Sequence, residues 1–269
     1  MKIAVLGSRG YLGSYISNRL VSKKYDVLAI TREDLDLTNY NAVVSWLTQH
    51  RPNIIVNCAT AGRNSLASTS YSDVQNNLGI FLNFFNNSQY FDRFINIGSG
   101  AEFDITTDVN YANENDILKT IPSESYAYSK NIISRLVLEK DKFFTIRLFG
   151  CFDFSEPSNR LLKKISSNDF MEIDDRQFDY VSASDLFHLL EYYLNNDNLI
   201  KDINCVYPKK ILISELIEKF ISIHNINRNF NISSTLGKNY TGSSTNLESL
   251  NLNLEGLDVG LKLYLQKKI

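Results

Sequence analysis

Cysteine and histidine are scarce in this 269-residue chain, with three of each. Cys58, Cys151 and Cys205 lie far apart and are odd in number. They cannot build a complete disulfide framework, and free thiols suit a reducing, cytoplasmic setting. So few sulfur and imidazole ligands, none of them clustered, argue against a zinc site. An excess of basic charge is missing too: 28 Lys and Arg against 30 Asp and Glu leave a net charge of -2. That balance carries no footprint for nucleic acid or for an anionic membrane. No apolar run is long enough to span a bilayer. The opening MKIAVLGSRG lacks the apolar stretch and small-residue cleavage site of a secretory signal. No internal repeat is present. What remains is an ordinary globular balance, 43% hydrophobic and 22% charged. The chain is long enough for one large domain or two small ones around a well-buried core. A nucleotide ligand stays open, because a helix N-terminus and one or two Arg suffice for a diphosphate.

The first half alternates strand and helix patterns. KIAVLG, DVLAIT, NIIVNCA, RFINIGS and FFTIRLFG are short apolar runs without alternation. Between them lie segments with helical spacing, such as Leu12, Ile16 and Leu20, or LTNYNAVVSWLTQH with Thr38 as its expected N-cap. Strands of that kind separated by helices imply an α/β fold, a parallel sheet covered on both faces. Right-handed crossovers make it doubly wound. The pattern loosens after residue 150. We read residues 1–150 as a dinucleotide-binding domain. Residues 151–269 are read mainly as a smaller substrate lobe, some of whose elements return to the main sheet.

Gly7, Ser8, Arg9, Gly10, Tyr11, Leu12 and Gly13 form a G-x-x-G-x-x-G between the first strand and the first helix. Gly7 suits a tight turn, Gly10 lets a pyrophosphate approach the backbone, and Gly13 permits close helix–strand packing. The second strand ends on Thr31 and is followed by Arg32. An acid at this point would favour NAD, whereas Arg9 and Arg32 suit a 2′-phosphate. NADP(H) is therefore favoured and NAD(H) is kept, since Glu33 and Asp34 follow at once. Asp36 and Leu37 are placed to reach the adenine edge, unless Asp36 merely caps the next helix.

Tyr126 and Lys130, in SESYAYSK, are one helical turn apart and share a face. A phenol ordinarily titrates near 10, and a neighbouring ammonium lowers it toward a useful acid or base. Ser99, after the fourth strand, can hydrogen-bond a reacting carbonyl oxygen. Tyr128 is the competing phenol but points elsewhere on the helix.

In order and spacing these features resemble the short-chain dehydrogenase/reductase superfamily, and within it the extended epimerase/dehydratase branch that modifies nucleotide sugars. The resemblance rests on the glycine loop, NCATAG at 57–62, Ser99, Tyr126 with Lys130, RLFG at 147–150, RQFDYVSASDL at 176–186 and the C-terminal stretch from Asn246. It implies a catalytic triad of Ser99, Tyr126 and Lys130. It also implies cofactor contacts from Ala59, Thr60, Ala61 and Phe149, and a substrate diphosphate contact from Arg176, whose plainer reading is a surface salt bridge. Family members often dimerise through helices at about 71–89 and 126–140. Phe81, Phe84 and Phe85 could serve that contact or simply fill the core. Departures narrow the chemistry. Gly100 and Ala101 stand where 4,6-dehydratases carry an Asp-Glu pair, and Ala101 stands where the GDP-fucose synthase type carries Cys. His188, in an apolar helix, reads as core or surface. Gly98 replaces a common Ser and Phe103 a common Tyr. These residues fit a reductase of a nucleotide-linked 4-keto sugar in cell-surface polysaccharide synthesis. The alternatives are a 4-epimerase on tightly held NAD and a non-catalytic NADP sensor.

Overall fold

The computed structural model describes residues 1–61, 71–167, 172–227, 230–233 and 237–266. Its first half runs β1 (Lys2–Leu6), α1 (Tyr11–Ser22), β2 (Asp26–Ile30), α2 (Tyr40–His50), β3 (Ile54–Asn57), α3 (Tyr71–Phe85), β4 (Arg93–Ser99), β5 (Val109–Ala112), α4 (Ser125–Leu138) and β6 (Phe143–Leu148). The second half adds β7 (Cys151–Phe152), α5 (Leu161–Ser166), β8 (Glu172–Ile173), β9 (Val181–Ser182), α6 (Ala183–Asn195) and β10 (Asp202–Asn204). It ends with α7 (Ile213–His224), β11 (Asn231–Ile232), β12 (Tyr240–Gly242), α8 (Thr245–Ser249) and α9 (Leu257–Leu263).

Six strands form one parallel sheet in the order β10-β6-β4-β3-β1-β2. The inner strands lack alternation because both faces are dry, whereas the edge strand β2 is only half covered. Along β1, Ile3 and Val5 pack with Ile16 and Leu20 of α1 and with α6. Ala4 and Leu6 face the opposite way, onto Val43 and Leu47 of α2 and Phe81 and Phe84 of α3. Strand order reverses at β1, between β2 and β3. In such sheets a crevice opens at the carboxyl ends on either side of that point, and ligands bind there.

Some expectations need correcting. Asn39, not Thr38, caps α2, its side chain accepting from Ala42 N at 3.1 Å. The reason is local: Thr38 donates its hydroxyl to Asp36 Oδ1 at 2.6 Å and its backbone N–H at 2.9 Å. Asp36 thus closes an Asx turn ahead of the helix rather than capping it. Phe81 and Phe84 are fully buried and fill the core, the plainer of their two readings. The ring of Phe81 meets Phe94 and Phe143 edge-on at 5.7 Å, which fixes α3 against β4 and β6. β10 runs beside β6 in the main sheet. The remaining strands make small pairs, β7 with β9, β8 with β11, and β5 with β12. No helix among the described residues is long and apolar enough to cross a membrane.

Candidate cofactor and active site

The glycine loop is shaped by what a side chain would strike. Gly7 adopts φ +74°, and a Cβ there would lie 2.9 Å from the backbone of Ala59. A Cβ on Gly13 would lie 2.2 Å from Gly7 O. Only bare Cα atoms let α1, the loop after β1 and the loop after β3 meet this closely. The N–H groups of Gly7 and Ser8 both donate to Ile30 O, at 3.0 and 3.1 Å, pinning the loop to the end of β2. Gly10 caps α1 without any side-chain acceptor, and no acid occupies the first turn. The orphan N–H groups and the positive helix end are left for an anion. A dinucleotide diphosphate fits this cradle.

At the end of β2 both acids are already engaged. Arg9 forms an ion pair with Glu33. Asp34 folds back, its Oδ2 accepting from Thr31 N at 2.9 Å and Thr31 Oγ1 at 2.7 Å. Those two hydrogen bonds hold its carboxyl below the usual range. Arg32 stays exposed beside them.

The loop after β3 is held by an asparagine that sequence reasoning missed. Asn77, buried on α3, accepts from Ala61 N at 2.7 Å and Thr60 Oγ1 at 3.3 Å. Its amide donates to Ser129 Oγ at 3.1 Å, and Ser129 donates to Tyr126 O at 2.8 Å. One side chain therefore ties the loop Ala59–Thr60–Ala61 to the helix that carries Tyr126. The sequence offers only a pair of adjacent asparagines in a helix, with no sign of which one turns inward. Asn57 supports the same loop by accepting from Ala59 N at 3.2 Å. Gly62, in the same sequence stretch, lies outside the described residues.

Ser99, Tyr126 and Lys130 are all buried, at 3%, 7% and 4% exposure. Tyr126 sits in the first turn of α4, while Tyr128 faces solvent. Lys130 reaches across to β4, its Nζ donating to Ile97 O at 3.1 Å. Its charge is also felt at Cys58, where it opposes the burial that pushes the thiol up to about 12. That thiol stays protonated at neutral pH. The Oγ of Ser99 accepts from Ala101 N at 3.3 Å, which fixes its rotamer and keeps its own proton for donation. The structure thus places Ser99 at the carboxyl end of β4 and Tyr126 and Lys130 in the first turns of α4.

Other expected site residues are placed as follows. The Phe149 ring stacks on Phe103 at 6.0 Å and meets Tyr240 edge-on at 4.9 Å. Arg176 is half-buried, with its guanidinium 5.6 Å from the Phe178 ring and its stem against Gly237. Tyr11 turns its hydroxyl inward beside Cys151 and Glu156, and burial raises its pKa. Leu12 packs on the core, and Leu37 O accepts from Asn83 at 2.8 Å. His188 sits on α6 with Nδ1 3.6 Å from Asp185 Oδ1.

Residues 3–152, more than half the chain, match the model of the NAD dependent epimerase/dehydratase family. The chain belongs to this family. It is 24% identical to a CDP-abequose synthase of Yersinia pseudotuberculosis over 221 residues, 74% of this chain and 75% of that one. Two further curated matches, 41% and 36% identical over 59 residues, span only 20% of each relative's length. Among solved structures, a GDP-mannoheptose C4 reductase from Campylobacter jejuni with NADP bound superposes with a TM-score of 0.82. Identity is 18%, and the match covers 98% of this chain and 97% of that one. A UDP-glucose 4-epimerase from Thermotoga maritima superposes with a TM-score of 0.83 at 16% identity, covering 99% and 98%. The family's members are NAD(P)-dependent enzymes acting on nucleotide sugars, and this chain is an oxidoreductase of that kind.

Proposed function

We propose that the protein is an NADPH-dependent reductase of a nucleotide-linked 4-keto sugar. The likeness of fold extends to a reductase and to an epimerase alike, so the residues around the cofactor site must choose. The carrying observation is the end of β2. Glu33 is already paired with Arg9 and Asp34 is folded onto Thr31, so both acids have partners that compete with a ribose 2′-hydroxyl. Arg32 is exposed to take a 2′-phosphate, the mark of NADPH and of net reduction.

When bound in the glycine-loop cradle, NADPH would supply the hydride that reduces C4 of the sugar. Ser99 donates its hydroxyl proton as a hydrogen bond to the carbonyl oxygen and orients it. Tyr126 delivers the proton that turns the developing alkoxide into an alcohol. The ammonium of Lys130, held by Ile97 O, favours the resulting phenolate. Ala59, Thr60 and Ala61 line the cofactor crevice, and Arg176 takes the substrate diphosphate. Directly after Ser99 stand Gly100 and Ala101, so no acid pair is offered there for elimination. The nearest acid after Ser99 is Glu102, which is fully buried and bonded to Arg147 and Ser134.

The test is a fluorescence titration of the protein with NADPH and, separately, NADH. NADPH is expected to bind more tightly. Arg32→Ala should remove a charge-assisted contact of about 1.5–3 kcal/mol, roughly tenfold or more in NADPH affinity, and spare NADH. Equal affinities, unmoved by Arg32→Ala, would overturn the reading.

A further inference from the structure

We propose that Glu102 is a positioning residue: one buried carboxylate that sets Ser99 against the helix carrying Tyr126 and Lys130. The assignment rests on the reductase reading above.

Glu102 follows Ser99 by three residues and is fully buried. Its Oε1 accepts the backbone N–H of Ser99 at 2.7 Å. Its Oε2 accepts from Ser134 Oγ at 2.7 Å and from Arg147 Nε at 2.7 Å. Ser134 lies one turn beyond Lys130 and two beyond Tyr126, on the same face of α4. The two oxygens of one carboxylate therefore hold the carbonyl-orienting serine and the proton-donating helix to each other.

Arg147 anchors this clamp to the sheet. It stands beside Gly98 in the β4–β6 register. Its other nitrogens donate to Asp202 Oδ2 at 2.6 Å and Asn204 Oδ1 at 3.1 Å on β10. The Glu102 carbonyl is gripped too, accepting from Asn131 Nδ2 at 2.9 Å on α4. Three elements, β4, α4 and β6, thus converge on the residue that sets where the Ser99 hydroxyl points, and β10 backs it through Arg147.

The same geometry explains Gly98, where related sequences commonly carry Ser. A Cβ at position 98 would lie 2.9 Å from Glu102 Oε1 and 2.7 Å from Thr145 Cγ2. The carboxylate occupies part of the volume a side chain at 98 would need, so Glu102 can sit here only beside a glycine or by shifting. Gln at 102 can still accept from Ser99 N. Its amide then presents a donor to Arg147, and Arg147 keeps only Asp202 as a charged partner. Hydride and proton transfer both demand close placement, so a shift of Ser99 should appear in turnover rather than in cofactor binding.

The experiment compares the full-length enzyme with Glu102→Gln and with Ser134→Ala. Ser134→Ala cuts only the tie to α4 and leaves the buried charges paired, so it remains informative should Glu102→Gln not fold. NADPH affinity, NADPH oxidation and amide hydrogen exchange at Ser99 are measured in each. The oxidation substrate is the best of a dTDP-, CDP-, GDP- and UDP-linked 4-keto-6-deoxysugar panel. Expected are faster Ser99 exchange, unchanged NADPH affinity, and kcat lowered by about tenfold to a hundredfold in Glu102→Gln, less in Ser134→Ala. Wild-type kcat and wild-type Ser99 exchange in the folded variants, with only thermal stability reduced, would overturn the proposal. Failure of the unaltered enzyme to oxidise NADPH with any of these sugars would count against the reductase reading instead. Ser99 exchange would then decide the clamp alone: faster supports it, unchanged refutes it.

Discussion

Tyr126 tests the chemistry at the scale of one atom. Tyr126→Phe removes the proton donor and leaves the ring, so kcat should fall by about 10²–10⁴-fold while NADPH binding survives. Steady-state turnover beside a fluorescence titration checks this, and unchanged turnover would remove Tyr126 from the role. Glu156 tests the electrostatics of the interior. Burial pushes its carboxyl from an ordinary 4.5 up to about 7, against the pull of the Tyr264 hydroxyl that donates to it at 2.7 Å. The folded protein therefore holds this proton more tightly than the unfolded chain. Stability is lost as pH rises through that interval and is not regained above it, with an upper bound of about 3 kcal/mol. Glu156→Gln should stabilise the protein more at about pH 8 than at about pH 5, as read by thermal melts at both. An equal effect at both would contradict the assignment. At this scale the shared, buried face of Tyr126 and Lys130 on α4 was legible because a four-residue spacing is one helical turn. Asn77 and Glu102 were not, because only the packed α3–α4 face and the β4–β6 register reveal what they hold.

The glycine loop tests the strand–turn–helix element. Gly13 touches Gly7 O through its missing Cβ far more closely than Gly10 does, at 2.2 against 3.2 Å. Gly13→Ala must push α1 off the loop, an overpacking cost of about 1–3 kcal/mol, and should weaken NADPH binding accordingly. Gly10→Ala should leave the apo protein nearly as stable as the parent. Denaturant melts of the two variants and NADPH titration of Gly13→Ala check this, and equal stabilities would show that the loop yields freely. The main strands and helices could be read from sequence because burial on both faces leaves a signature in every residue. The β5–β12 pair could not, since its partners are about 130 residues apart and too short to show a period. The Asx turn at Asp36 was hidden for another reason: Asp36, Thr38 and Asn39 are all good caps, and only geometry assigns them.

For the whole molecule, strand–helix alternation was enough to give a doubly wound sheet, and the reversal of strand order at β1 puts the crevice beside the glycine loop. The chain after residue 150 was less legible, because its two-residue strands and short helices gain definition only by packing on one another around Phe152, Tyr180 and Phe220. Net reduction of a ketone, the central claim, belongs to the assembled protein. It is tested by incubating the enzyme with NADPH deuterated at C4 and a panel of nucleotide-linked 4-keto-6-deoxysugars. A reductase oxidises the NADPH in step with alcohol formed and places the deuterium at C4 of the sugar. No oxidation with any member of the panel, together with NAD released from the protein on denaturation, would contradict the reductase and point to an epimerase.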